Sequence, residues 1–79
     1  MRKVTLVRYS IVKYHDVGNG HLFPRPIDHR LMKKPAAMRE LRKLQEQNFA
    51  DSALYGLSRW VIPADSLYAF HTNHYTVEM

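Results

Sequence analysis

His15, His21, His29, His71 and His74 are the groups in this 79-residue chain best suited to acid-base or metal chemistry. Neutral imidazole is a common zinc ligand, and its charge changes near neutral pH. His15 and His21 flank Asp16-Val17-Gly18-Asn19-Gly20 and approach one another across that turn, and His71 with His74 would complete a ligand set. The spacing is unspecific, however. Residues three apart on a strand point to opposite faces, so His71 and His74 chelate together only where Thr72-Asn73 forms a turn. Solvent-facing histidines are the expectation, with no metal. A minimal nuclease would need a positioned acid and base with cationic stabilisation of the transition state, and His15, His71, His74, Arg59 and Tyr75 are the groups at hand. No spacing pairs a nucleophile with a base, and the phosphate-binding and dinucleotide glycine patterns are absent. The chain reads as non-enzymatic and without a cofactor.

Charge is the stronger signal. Eleven of the twelve Lys and Arg residues lie in the first 43 positions, which carry +8, against −3 for the remaining 36. Arg25, Arg30, Lys33, Lys34, Arg39, Arg42 and Lys43 fall within 19 residues, opposed by Asp28 and Glu40. Such polarity marks a protein that meets an anionic surface, either nucleic acid or an acidic patch on another protein. Phosphate contacts would give strongly salt-dependent, weakly sequence-specific affinity. An acidic protein patch would use the same residues for steering and polar contacts.

Tyr9, Tyr14, Tyr55, Trp60, Tyr68 and Tyr75 would be the stacking platforms of a single-strand binder, but most of them lie in the acidic carboxy-terminal part, away from the basic run. No RNA-recognition, cold-shock or zinc-knuckle signature accompanies them. Core or protein-interface use is the expectation for these rings, with Tyr14 and Tyr55 as interface anchors because Tyr tolerates partial exposure.

The chain is one small domain whose single core supplies only a few kcal/mol of net stability. Hydrophobic residues at 46% and charged residues at 24% are the composition of a folded globular chain. Without Cys there are no disulfides or thiolate metal sites, and a cytoplasmic setting is expected. Arg8 and Lys13 interrupt the apolar amino-terminal stretch, so a strand is expected there in place of a signal peptide, and no stretch is long enough to span a bilayer. A homodimer or docked partner is a natural way to complete so small a core.

These side chains must be positioned by few elements. Val4 to Tyr14 is β-branched and aromatic on both parities, so it forms a strand that is either central or changes register near Ser10. Asn19-Gly20 suits a tight turn, making a β-hairpin with His21-Leu22-Phe23, and Pro24 and Pro26 end its second strand. Pro35 opens a helix through Asn48 that places Ala37, Leu41, Leu44 and Asn48 on one stripe, with Met38 at its edge. Arg39, Arg42, Lys43 and Glu46 face away. Asp51 or Ser52 caps a short helix through Ala53, Leu54, Tyr55 and Leu57, weakened by Gly56. Arg59 to Ile62 is a strand stopped by Pro63, and Leu67 to Val77 forms one or two further strands. The predicted fold is α+β: a small antiparallel sheet of the amino-terminal hairpin and carboxy-terminal strands, packed against one main amphipathic helix. Its expected core is Val4, Leu6, Leu41, Leu44, Trp60, Ile62 and Phe70.

In size and charge the chain resembles the compact accessory proteins of bacteria and their viruses, a resemblance of type that no diagnostic motif carries. It implies a regulator acting on a host enzyme or defence complex. The sequence points to a non-enzymatic binding or inhibitory module that docks on a larger protein or nucleoprotein with an acidic patch. Arg30, Lys33, Lys34, Arg39, Arg42 and Lys43 supply the contacts, and Tyr14 and Tyr55 the anchors. Direct RNA or DNA binding is the alternative, and a minimal nuclease the third reading.

Overall fold

The computed structural model describes residues 5–79, and Val4 lies outside them. Its elements are β1 (Thr5–Asp16), β2 (Leu22–Pro26), β3 (Arg30–Leu31), α1 (Lys34–Gln47), β4 (Tyr55–Pro63), α2 (Leu67–Thr72) and β5 (Thr76–Val77). β1 is the central strand of an antiparallel sheet ordered β2-β1-β4, and β3 pairs in parallel with β5. The α+β prediction holds.

β1 is apolar on both parities because both of its faces are covered. Tyr9 and Ile11 join Met32, Leu57, Ala37, Leu41 and Leu44 beneath α1. Leu6, on the other face, joins Trp60, Ile62, Leu31, Leu67, Phe70, Tyr75 and Val77 beneath α2 and the carboxy-terminal residues. The sheet is therefore the middle of three layers, where a single covering helix was expected. Ile11, Val12, Leu31, Met32, Ala37 and Val77 are fully buried together with the predicted Ile62, while Leu6, Leu41, Leu44, Trp60 and Phe70 are half-buried.

The hairpin turn forms as the sequence predicts. Gly18, Asn19 and Gly20 all have positive φ (110°, 55° and 75°), conformations that glycine and asparagine tolerate best. Asp16 Oδ1 accepts the Gly18 N–H at 2.8 Å, and Val17 and His21 close the turn with a 3.0 Å backbone bond. β2 runs through Pro24 and ends at Pro26, so only the second proline stops the strand. β2 is an edge strand, and Ile27 N–H donates to the Ile11 carbonyl at 3.0 Å. With odd-numbered positions bonding to β1, Pro24 and Pro26 turn their missing donors outward, which costs no ladder bond and blocks that edge against further pairing.

Beyond β2 the chain bulges. Tyr9 and Val12 are three positions apart in β1, whereas their partners Met32 and Pro26 are six positions apart. The two-way Tyr9–Met32 backbone bonds, at 2.7 and 2.8 Å, then deliver the chain into α1. Pro35 sits in the first turn of that helix as expected, and the helix ends one residue before Asn48. Asn48 caps it with backbone and side-chain donors, both 2.9 Å from the Leu44 carbonyl.

Two predicted elements are wrong. Phe49–Leu54 is a short 3-10 helix, and Tyr55 to Leu57 belong to β4, paired with Lys13 to Ile11. Buried Ile11 and Val12 require a neighbouring strand there, and tertiary pairing overrides local helix propensity. Gly56 is a seat for Tyr14, since a Cβ on it would lie 3.3 Å from Tyr14 Cε2. Leu67 to Val77, expected as one or two strands, is α2, entered from a 3-10 turn at Ala64–Ser66, followed by the two-residue strand β5. Leu67 and Phe70, one turn apart, both pack into the aromatic layer, and Tyr75 N–H donates to the Phe70 carbonyl at 3.1 Å across His74, whose φ is +66°. That is a Schellman end, with histidine where glycine is usual.

Candidate partner-binding surface

Arg39, Arg42 and Lys43 stand exposed on the side of α1 opposite Ala37, Leu41 and Leu44, as the helical wheel dictates. Among the described residues none of the three forms an ion pair, and Glu46, though it shares their face, pairs with neither Arg42 nor Lys43. Lys33 and Lys34 are exposed at the start of the helix, Lys33 with extended backbone (φ −64°, ψ 153°). This charge arrangement opposes the helix dipole at both ends. The first turn has no acidic residue and no side-chain cap, and the last turn has no basic residue but does contain Glu46. Cations at the amino end cost about 0.3–1 kcal/mol each relative to anions placed there. Helix stability does not account for these lysines.

Arg30 is exposed beside Arg39 but, unlike the other cations of the predicted surface, is ion-paired. Its Nε lies 2.8 Å from Asp28 Oδ2 and its Nη2 lies 3.8 Å from Glu40 Oε2, while Asp28 Oδ1 accepts the Arg30 N–H at 3.0 Å. Arg30 thus ties the bulge to α1, and its charge is matched by two carboxylates. The cleft beside it, between α1 and β5, is lined by Arg39 as well as Glu40 and Glu78 and is electrostatically mixed. At the other end of α1 a shallow recess is lined by Arg42, Gln45, Glu46, Phe49 and Ser52, with Gln45 Nε2 donating to the Ser52 carbonyl at 3.3 Å. Phe49 is 85% exposed at its rim. Sequence reading missed Phe49. The available signal is that a large apolar residue follows the helix cap and falls off the apolar stripe.

The two tyrosines separate. Tyr55 pairs with Lys13 on the α1 side of the sheet, where Lys13 Nζ sits 5.5 Å from the ring centroid. Tyr14 lies over Gly56 on the opposite side. Strand alternation forbids them from joining one anchor pair. Trp60, Phe70 and Tyr75 form a mutually packed trio with centroids 5.6–6.2 Å apart, and His29 meets Tyr75 edge-on at 5.1 Å. Four of the nine aromatic rings, Tyr9, Trp60, Phe70 and Tyr75, therefore pack into the core, while Phe23, Phe49 and Tyr68 are exposed.

The histidines do not converge. His15 and His21 sit on the hairpin, His71 and His74 at the end of α2, and His29 in the bulge. The described residues contain no group of three metal-ligating side chains. Arg59 shares the α1 side of the sheet with Tyr9, whereas Tyr75 packs on the other, so the groups a nuclease would use are distributed over both faces and both ends. No helix of the described residues is long and apolar enough to cross a membrane. Comparison with protein-family models, with curated proteins and with solved structures returns no match.

Proposed function

We propose that the chain is a non-enzymatic docking module, binding or inhibiting a larger protein or nucleoprotein through the outward face of α1. Arg39, Arg42 and Lys43 form the centre of the contact, Lys33 and Lys34 extend it past the start of the helix, and Phe49 anchors its other end. Two observations carry this reading: Lys33 and Lys34 stand at the amino end of α1, where cations oppose the helix dipole, and Arg39, Arg42 and Lys43 have no carboxylate partners among the described residues. A helix kept in that state by solubility alone would gain by the opposite arrangement.

An acidic protein patch is favoured over a phosphate backbone because Glu46 stands among the cations and Phe49 is bare beside Arg42. The phosphate array of a duplex repels the first and, with its bases stacked inside, makes little use of the second, whereas a protein interface combines mixed charge with an aromatic anchor. The test is affinity capture from host lysate with the intact chain and with an Arg39→Glu, Arg42→Glu, Lys43→Glu variant, each with and without nuclease treatment. One defined protein, retained after nuclease and lost with the variant, is the expected result. Capture that vanishes on nuclease treatment transfers the surface to nucleic-acid binding, and capture indifferent to the variant removes α1 from the contact.

A further inference from the structure

β1 runs on past the residues that α1 covers. Beyond Ile11, the α1-side face of the hairpin carries three cross-strand rungs, Lys13 opposite Arg25, His15 opposite Phe23, and Val17 opposite His21. Asp16, the ribbon's one carboxylate, pairs with Leu22 on the other face and accepts the Gly18 N–H. The α1-side rungs thus hold two cations and two imidazoles with no acid among them. Tyr55 continues the first rung across β1, its ring beside Lys13 Nζ. Phe23 is 54% exposed in the next rung.

The spacing suits a nucleotide. Positions two apart on a strand are about 7 Å apart, so Arg25 lies one base-to-phosphate reach from Phe23, and Lys13 stands about 5 Å across from Arg25. An open aromatic face beside paired cations is the minimal platform for an unpaired base and its phosphates. A duplex keeps its bases stacked inside, so only an unpaired strand brings one onto Phe23.

We propose that this face of the hairpin binds single-stranded nucleic acid, with one base stacked on Phe23 between His15 and His21 and the adjoining phosphates on Lys13 and Arg25. The site is distinct from the α1 surface and does not depend on it. Fluorescence anisotropy of labelled oligothymidylate, oligouridylate and a short duplex, titrated with the full chain between about 50 and 200 mM salt, tests it. Single strands are expected to bind more tightly than the duplex. Phe23→Ala should weaken them at least about fivefold, and Phe23→Trp should restore them. Lys13→Gln with Arg25→Gln should lower the steepness of the log-log salt dependence by about 1.4, the value for two lost phosphate contacts on a single strand. Leu22→Ala, removing an equally exposed apolar side chain from the opposite face, should change nothing. The Phe23→Ala factor should persist in an Arg39→Gln, Arg42→Gln, Lys43→Gln background. Phe23→Ala binding as well as the unmodified chain, equal affinity for duplex, or no oligonucleotide binding at about 50 mM salt would each overturn the proposal.

Discussion

The two faces of one sheet are closed by different chemistry. Under α1 the contact is mainly aliphatic, with Ile11, Met32, Ala37, Leu41, Leu44 and Leu57 packed beside the one ring of Tyr9, and among the described residues no side-chain hydrogen bond joins helix and sheet. Under the carboxy-terminal segment it is aromatic and directional. Trp60 Nε1 donates to buried Ser10 Oγ at 2.9 Å, and Arg8, only 8% exposed, spends Nε on the Glu78 carbonyl at 2.6 Å and Nη2 on the Met79 carbonyl at 3.4 Å. Backbone bonds from β3 to β5 add to this, including Glu78 N–H to the Leu31 carbonyl at 2.8 Å. Directional bonds fix one geometry, whereas aliphatic packing constrains only the buried stripe of α1 and leaves the outward stripe unconstrained by the fold. The face that carries the proposed contact is the one whose outer residues the core does not need.

The comparison is tested most severely at its two centres. Ile62→Ala, at a fully buried position against Leu31 and Val77, should destabilise the chain by about 2–5 kcal/mol, enough to unfold much of so small a domain. Leu44→Ala, at a half-buried position under α1, should cost less, about 1–2 kcal/mol, because less of the side chain leaves water on folding. Urea unfolding of both variants decides the matter. Equal losses would mean that the aliphatic face is as demanding as the aromatic one.

Arg8 separates packing from directional bonding. Arg8→Met keeps much of the apolar stem but removes the donors to Val7, Glu78 and Met79, and should cost about 2–3 kcal/mol. Hydrogen exchange should rise first at Glu78, whose N–H bonds the Leu31 carbonyl, with α1 amides unaffected until global unfolding. Uniform loosening would show that Arg8 serves both layers. Ser10→Ala is the milder version, leaving Trp60 Nε1 without its partner at about 1 kcal/mol, or roughly 4–8 °C in melting temperature.

What was legible in the sequence follows the same division. The Asn19-Gly20 turn and the helix after Pro35 are written in adjacent residues, and the outward position of Arg39, Arg42 and Lys43 follows from helical period alone. The carboxy-terminal layer is not local. Tyr55 to Leu57 are strand because Ile11 to Lys13, more than forty positions earlier, need a neighbour. Leu67, Phe70 and Tyr75 suit a strand by composition, yet Leu67 and Phe70 are one helical turn apart in α2 and pack with Tyr75, which follows the helix end, against Trp60. Arg30 is indistinguishable from Lys33 in sequence, yet the bulge carries it to Asp28 and Glu40. The separation of Tyr14 from Tyr55 is fixed by register, which only the paired strands reveal.

The smallest expected effect is the most discriminating for function. Lys33 occupies the cap position of α1, where aspartate would accept a backbone N–H of the first turn and complement the dipole. Lys33→Asp should therefore stabilise the chain by about 0.5–1 kcal/mol, opposite in sign to the variants above, while weakening capture of the α1 partner. Thermal melting and binding measured on the same preparation give both values. A gain in stability with a loss of binding identifies a residue held against the interest of the helix for the sake of a contact. A gain in stability with binding intact would reduce Lys33 to a solubility charge and confine the contact to Arg39, Arg42 and Lys43. A loss of stability would mean that the amino end of α1 already has a partner for its charge, and the reversed pattern would no longer argue for docking.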